Sequence, residues 1–245
     1  MKYFPVFFLT MSALLGLELP MLYEKNLDEP RTSYEKTLVE HVQLSLQRAL
    51  RLESKLSQTF IQDVEVKNWH FDIPYYHLLN NVCGWMNASH LHIGLLKGGS
   101  FIAALYQNQD FLRHQVGVDW FQEYPEKDFY TNCDRYLDRS KCLIINTECF
   151  HLDKSLFLDP IDILLYDADH SLMAHEKAFT FYDDIFADVF VAIIDDWKCP
   201  WVRRPTFKAF EKLNYTLLFE GIVPGTPEMG HGQYVAVIRK TTTAF

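Results

Sequence analysis

The chain has 245 residues, 49% of them apolar, and a formal net charge of −9. That is too apolar for a disordered protein and long enough for a sizeable core. The acidic balance leaves no broadly basic face to neutralise a nucleic-acid backbone, so nucleic acid is not expected among the partners.

The first segment, MKYFPVFFLTMSALLGLELP, carries one lysine ahead of an apolar run over residues 3–17. Its length matches the core of a signal peptide and falls short of a membrane span. No A-x-A-like site follows, and Pro5 interrupts the run. Residues 1–30 therefore read as an apolar arm that is exported and cleaved, touches a membrane, or packs on the fold or a partner. A cytoplasmic protein is the expectation, with membrane association or export as the alternative.

Residues 31–88 read as a helical extension. Between Ser33 and about Gln58, Tyr34, Leu38, Val42, Leu46, Ala49 and Leu52 recur at helical spacing, with charges on the other side. Packing is the expected role, in a homo-oligomer if the chain forms one. IPYYHLLNNVCGWM reads as a further helix leading into a strand.

From Ser89 onward, apolar runs recur at 90–94, 114–119, 142–148, 161–167, 188–195, 216–221 and 234–240. The segments joining the first five are long enough for crossover helices. The expected fold is a Rossmann-like α/β sheet, doubly wound and mostly parallel, with helices on both faces over residues 89–245. The last two runs are joined by GIVPGTPEMGHGQ, whose Gly and Pro content suits a loop between antiparallel neighbours, so an antiparallel last strand is expected at the sheet edge. The five cysteines show no zinc-type spacing and read as reduced thiols.

The chemistry collects at strand ends. In LHIGLLKGGS, Gly94 ends a strand and Gly98 and Gly99 precede a helix, a turn that lets backbone approach a ligand. The G-x-x-x-G-G spacing is not the dinucleotide fingerprint, and a plain strand-to-helix turn reads equally well. Asp119 stands at the tip of the second strand, where such folds bond ribose hydroxyls, or else caps a loop. The apolar run IDILLYD ends in Asp167, with Asp169 and His170 close behind, and the next strand ends in Asp195 and Asp196. Adjacent buried carboxylates raise one another's pKa, and a hard divalent cation such as Mg²⁺ would resolve the conflict. The competing reading of Asp167, Asp169 and His170 is a polar turn capping a helix.

Taken in order, LHIGLLKGGS, VGVD, LLYDADHS and AIIDDW resemble the class I S-adenosylmethionine-dependent methyltransferases. Within that class the set is most similar to the metal-dependent O-methyltransferases that include the catechol, caffeoyl-CoA and macrolide-sugar enzymes. The resemblance covers Ser89 to Lys240. It implies that Gly94, Gly98 and Ser100 line the methionine end of the cofactor and that Asp119 holds its ribose. Glu148 or Cys149 falls near the adenine, and Asp167 borders the cofactor as well as the metal. His92 stands where the family has an acid for the cofactor's ammonium group; a neutral imidazole accepts one hydrogen bond there, and a charged one repels. Asp167, Asp195 and Asp196 become the metal ligands, and His170 the base that takes a proton from a small hydroxylated acceptor. The alternatives are a degenerate member with a binding or membrane-associated role and no catalysis, and a metal enzyme of this fold that hydroxylates or hydrolyses.

Overall fold

The structure, a computed structural model, describes residues 27–66, 73–225 and 232–241. The apolar run over 3–17 lies outside the described residues. Helix α1 (Ser33–Leu50) begins in a capping box: Thr32 Oγ1 accepts from Glu35 N–H at 3.1 Å, and the Glu35 carboxylate accepts from Thr32 N–H at 3.2 Å. Leu38, Val42, Leu46 and Ala49 are buried as their spacing predicts. The helix stops at Leu50 rather than near Gln58, because Leu52 turns left-handed (φ 58°). Leu52 consequently falls outside the buried stripe and is exposed, and Tyr34, in the first turn, is exposed as well. A short α2 (Gln58–Val66) follows. In α3 (Ile73–Val82), Pro74 sits in the first turn, where its missing N–H costs nothing, and Tyr75 through Asn80 are all buried.

Seven strands form one sheet: β1 (Ser89–Ile93), β2 (His114–Asp119), β3 (Leu143–Asn146), β4 (Ile161–Tyr166), β5 (Phe186–Ile194), β6 (Thr216–Val223) and β7 (Gln233–Arg239). Their order is β3-β2-β1-β4-β5-β7-β6. The first five pair in parallel, and β7 runs antiparallel to both β5 and β6. The antiparallel strand is therefore not at the edge. Every residue of β7 is buried, which suits an interior strand clothed on both faces, and β6 takes the edge instead. Part of that edge is covered by the chain ahead of α1: Leu27 bridges to Leu217, and Asp28 N–H donates to the Leu217 carbonyl at 2.9 Å.

Crossover helices follow β1 (α4, Gly99–Leu105), β2 (α5, Glu126–Tyr136), β4 (α6, Leu172–Thr180) and β5 (α7, Pro200–Lys212). Between β3 and β4 the chain makes only single 3-10 turns, at Cys149–His151 and Lys154–Leu156, each capped by the acid before it. Alternate residues of the central strands feed two cores. Ile163, Leu165, Val191 and Ile193 pack with Leu38, Val42, Tyr75 and Phe101 on one face, while Leu164, Tyr166, Ala192 and Ile194 pack with Phe179, Val202 and Phe210 on the other. The order reverses between β1 and β4, which opens a crevice beyond their carboxyl ends. The cysteines are free thiols, as their spacing predicts.

Candidate active site

Backbone hydrogen bonds draw the strand ends together. Gly94 N–H donates to the Val118 carbonyl at 2.9 Å, Asp167 N–H to Ile93 at 2.9 Å, and Asp195 N–H to Tyr166 at 3.2 Å. Gly94 has φ 91°, and a Cβ built there would lie 1.8 Å from the Asp167 carbonyl oxygen, so only glycine lets β1 end against β4 this closely. Gly98 (φ 93°) stands at the N-cap of α4. Asp119 braces this turn from β2: one carboxylate oxygen accepts from Leu95 and Leu96 N–H at 2.6 and 2.9 Å, the other from Phe121 N–H at 2.6 Å.

These ends border a cleft of about 440 Å³ whose walls include Gly94, Leu96, Asp119, Glu148, Asp167 and His170. Glu148 is held at its rim by accepting from Phe150 N–H at 3.0 Å. Gly98, Ser100 and His92 are buried and contribute no wall to the cleft. His92 Nε2 lies 3.1 Å from Ser100 Oγ, and its ring packs edge-on against His90 and Phe101. Burial first, and His90 second, hold His92 well below the usual imidazole range, so it is neutral. The imidazole at the family's acid position is thus part of a packed core.

Asp167, His170 and Asp195 present ligand-type atoms within 4.8 Å of one another. His170 Nε2 lies 3.6 Å from Asp167 Oδ1 and 3.9 Å from Asp196 Oδ2. Asp167 and Asp195 are both buried, and Asp167 Oδ2 has no hydrogen-bond partner among the described residues. Asp195 Oδ1 accepts from Gln233 Nε2 at 2.9 Å, yet burial and the neighbouring Asp167 charge push its carboxyl well above the usual range. Burial alone would lower His170, but Asp167, Asp196 and Asp195 outweigh it and raise the imidazole to about 9. Two buried carboxylates with an orphaned oxygen fit a hard divalent cation, and the imidazole widens the choice from Mg²⁺ toward Mn²⁺ and its neighbours. Asp196 takes a left-handed turn (φ 56°) beside this group and outside the set of three. Asp169 plays a local part: its carboxylate accepts from Ser171 N–H and Oγ–H at 2.8 and 3.0 Å, and Ser171 caps α6.

Several neighbours carry no signal in the sequence pattern. Tyr75 and Tyr76 on α3 are fully buried, and their phenols are raised well above the usual range by burial first and then by Asp167 and Asp195. The helical extension therefore reaches the carboxylates. Gln233 arrives from β7, distant in the chain. His175 lies behind His170, with Nε2 3.3 Å from its Nδ1. Only its place one turn into a helix after the polar LLYDADHS stretch hinted at it.

No protein-family model and no curated protein sequence matches the chain. Solved structures do. An O-methyltransferase from Bacillus cereus, in complex with SAH, superposes at a TM-score of 0.56 with 15% identity, over 83% of this chain and 100% of that one. A putative caffeoyl-CoA O-methyltransferase from Staphylococcus aureus gives 0.53 and 14%, over 86% and 100%. A putative methyltransferase from Thermoplasma acidophilum gives 0.50 and 11%, over 78% and 77%. At such identities the likeness speaks for architecture: the chain has the Rossmann-like fold of the class I S-adenosylmethionine-dependent methyltransferases.

Proposed function

We propose that the protein is an S-adenosylmethionine-dependent O-methyltransferase, assisted by a divalent cation, that methylates a hydroxyl of a small molecule. The observation that carries this reading is the buried Asp167–Asp195 pair with His170 beside it, Asp167 and His170 lining the same cleft as Gly94. Asp167 and Asp195, with Asp196 adjacent, would hold the cation. When bound, S-adenosylmethionine supplies an electrophilic methyl, and the cation supplies positive charge that acidifies a neighbouring hydroxyl. Gly94, Asp119 and Glu148, which line the cleft, would border the cofactor. His170 Nε2 takes the acceptor proton. The neighbouring carboxylates hold the imidazole pKa up at about 9, and a cation that balances their charge would bring it back toward the range of a base. Placement and charge compensation, rather than any covalent intermediate, are the chain's contribution.

A second reading, a methyltransferase-fold protein that binds without catalysing, draws on His92 and Asp119. The first is a buried neutral imidazole where the family has an acid, and the second already accepts three backbone N–H groups. Calorimetry separates the two. The enzyme reading expects S-adenosylhomocysteine binding that Mg²⁺ or Mn²⁺ strengthens in the wild type and not in Asp195→Asn, with methyl transfer to a catechol-like test acceptor. Cofactor binding indifferent to both cation and substitution, with no transfer, would leave the binding-protein reading standing.

A further inference from the structure

His175 is a titratable group in full burial to which the proposed chemistry gives no task. It rises from the first turns of α6, its N–H bonded to the Ser171 carbonyl at 3.2 Å, and Ser171 is itself braced by Asp169. One edge of its ring meets Tyr166, with centroids 5.2 Å apart at 70°. On the other side it stacks with His170, centroids 5.5 Å apart and planes 27° apart, and its Nε2 stands 3.3 Å from His170 Nδ1. The His170 ring is thus held between a buried partner at Nδ1 and the carboxylates of Asp167 and Asp196 at Nε2.

That arrangement has only two neutral settings. In one, His175 Nε2–H donates to His170 Nδ1; the His170 proton then sits on Nε2, aimed at the carboxylates, and the ring has no lone pair to offer them or their ligand. In the other, His170 Nδ1–H donates to His175 Nε2, and His170 Nε2 is bare. Then His175 carries its own proton on Nδ1, which has no partner among the described residues. The first setting leaves that nitrogen a bare acceptor and the second an unsatisfied donor, so hydrogen bonding alone does not choose between them and what stands at Nε2 decides. A cation held by Asp167 and Asp195 selects the second, since it repels a proton at Nε2 and attracts a lone pair there. A histidine whose far nitrogen is fixed by a buried partner is also a more basic and better oriented ligand or base.

We infer that His175 is a positioning residue: it accepts the His170 Nδ1–H, locks the ring, and keeps Nε2 bare toward the carboxylates whenever a cation is present. The inference rests on reading Asp167, His170 and Asp195 as a cation site, and it holds whether His170 serves as ligand or as base.

The test uses the full chain with His175→Phe, which keeps a ring and removes the acceptor, and His175→Gln, which keeps an acceptor. Mn²⁺ affinity is read by electron paramagnetic resonance, and the His170 nitrogens by ¹⁵N spectra of histidine-labelled protein with and without Mg²⁺. The Phe variant is expected to bind Mn²⁺ at least about tenfold more weakly and the Gln variant within about threefold of wild type. In the spectra, the Nδ1-protonated signature of His170 with Mg²⁺ is lost in Phe and kept in Gln. Equal Mn²⁺ affinity in wild type and Phe, with His170 signals unmoved, overturns the inference. Wild type that binds no Mn²⁺ overturns the cation site instead, and the His170 signals without metal still judge the contact: a shift in Phe that Gln reverses supports it, and none refutes it.

Discussion

Replacing Gly94 by alanine tests the convergence of β1 and β4 on which the site depends. The new Cβ would start 1.8 Å from the Asp167 carbonyl oxygen and 2.5 Å from its carbonyl carbon, both backbone atoms that cannot swing aside as a side chain does. The strand ends must then part by more than ~1 Å, losing close-packed contacts on both sides. The left-handed backbone at φ 91° adds roughly 1–2 kcal/mol for any residue with a Cβ. Together with the displaced packing, a loss of about 3 kcal/mol is expected, at the upper end of ordinary single substitutions. For a chain of this size that lowers the melting temperature by roughly 6–12 °C. Thermal unfolding followed by far-ultraviolet circular dichroism reads the stability. Mn²⁺ titration reads the second consequence, weakened cation binding as Asp167 moves with its carbonyl. A variant melting within about 2 °C of wild type and binding Mn²⁺ normally would show that the two strands do not meet as described.

Asp195→Asn keeps the oxygen that accepts from Gln233 and removes one buried charge. In chelator it should unfold no earlier than wild type. Mg²⁺ at about 100 times its Kd should stabilise wild type by about 2.7 kcal/mol and the variant not at all, as read by differential scanning calorimetry. Arg239, buried in β7, pairs with Glu35 of α1 at 3.3 Å and with Asp28, and because Glu35 keeps its backbone N–H partners, Arg239→Ala should cost about 1–3 kcal/mol. A denaturant midpoint unchanged by that substitution would refute the pairing. His90 is fully buried, and burial lowers its imidazole to about 3. The unfolded chain takes up a proton at His90 below about pH 6.5 while the folded chain does not until about pH 3, so this histidine drains stability as pH falls through that window. His90→Phe should flatten the decline between pH 7 and pH 4 in urea titrations, and an unaltered slope would mean that His90 is not buried neutral.

The strands and the positions of their acids were legible because both follow from local cost. An apolar run such as IDILLY has to be buried, and a carboxylate at its end must be solvated, paired or given a cation. The glycine turn announced itself in the same way, since Gly94 marks a conformation other residues resist. What stayed hidden depends on approach between distant segments. The place of β7 between β5 and β6 is set by pairing, which an apolar heptapeptide does not encode by itself. Tyr75 and Tyr76 stand in a segment that reads only as a helix, and the docking of α3 is what brings them to Asp167 and Asp195. The early stop of α1 depends on one left-handed residue, Leu52, whose type gives no warning of it. The pairing of His170 with His175 spans a helix cap, so the sequence shows two histidines without showing that their rings stack.

Because β7 slots into the middle of the sheet, the protein cannot be assembled in the order in which it is synthesised. Until residues 233–239 leave the ribosome, β5 has no neighbour on one side and β6 lacks the strand it pairs with, so the nascent chain must wait with two open ladders. The same late strand delivers Gln233 to Asp195. A chain truncated ahead of residue 233 would therefore lose strand closure and the Gln233 contact to Asp195 in a single stroke, which ties completion of the sheet to the setting of one buried carboxylate.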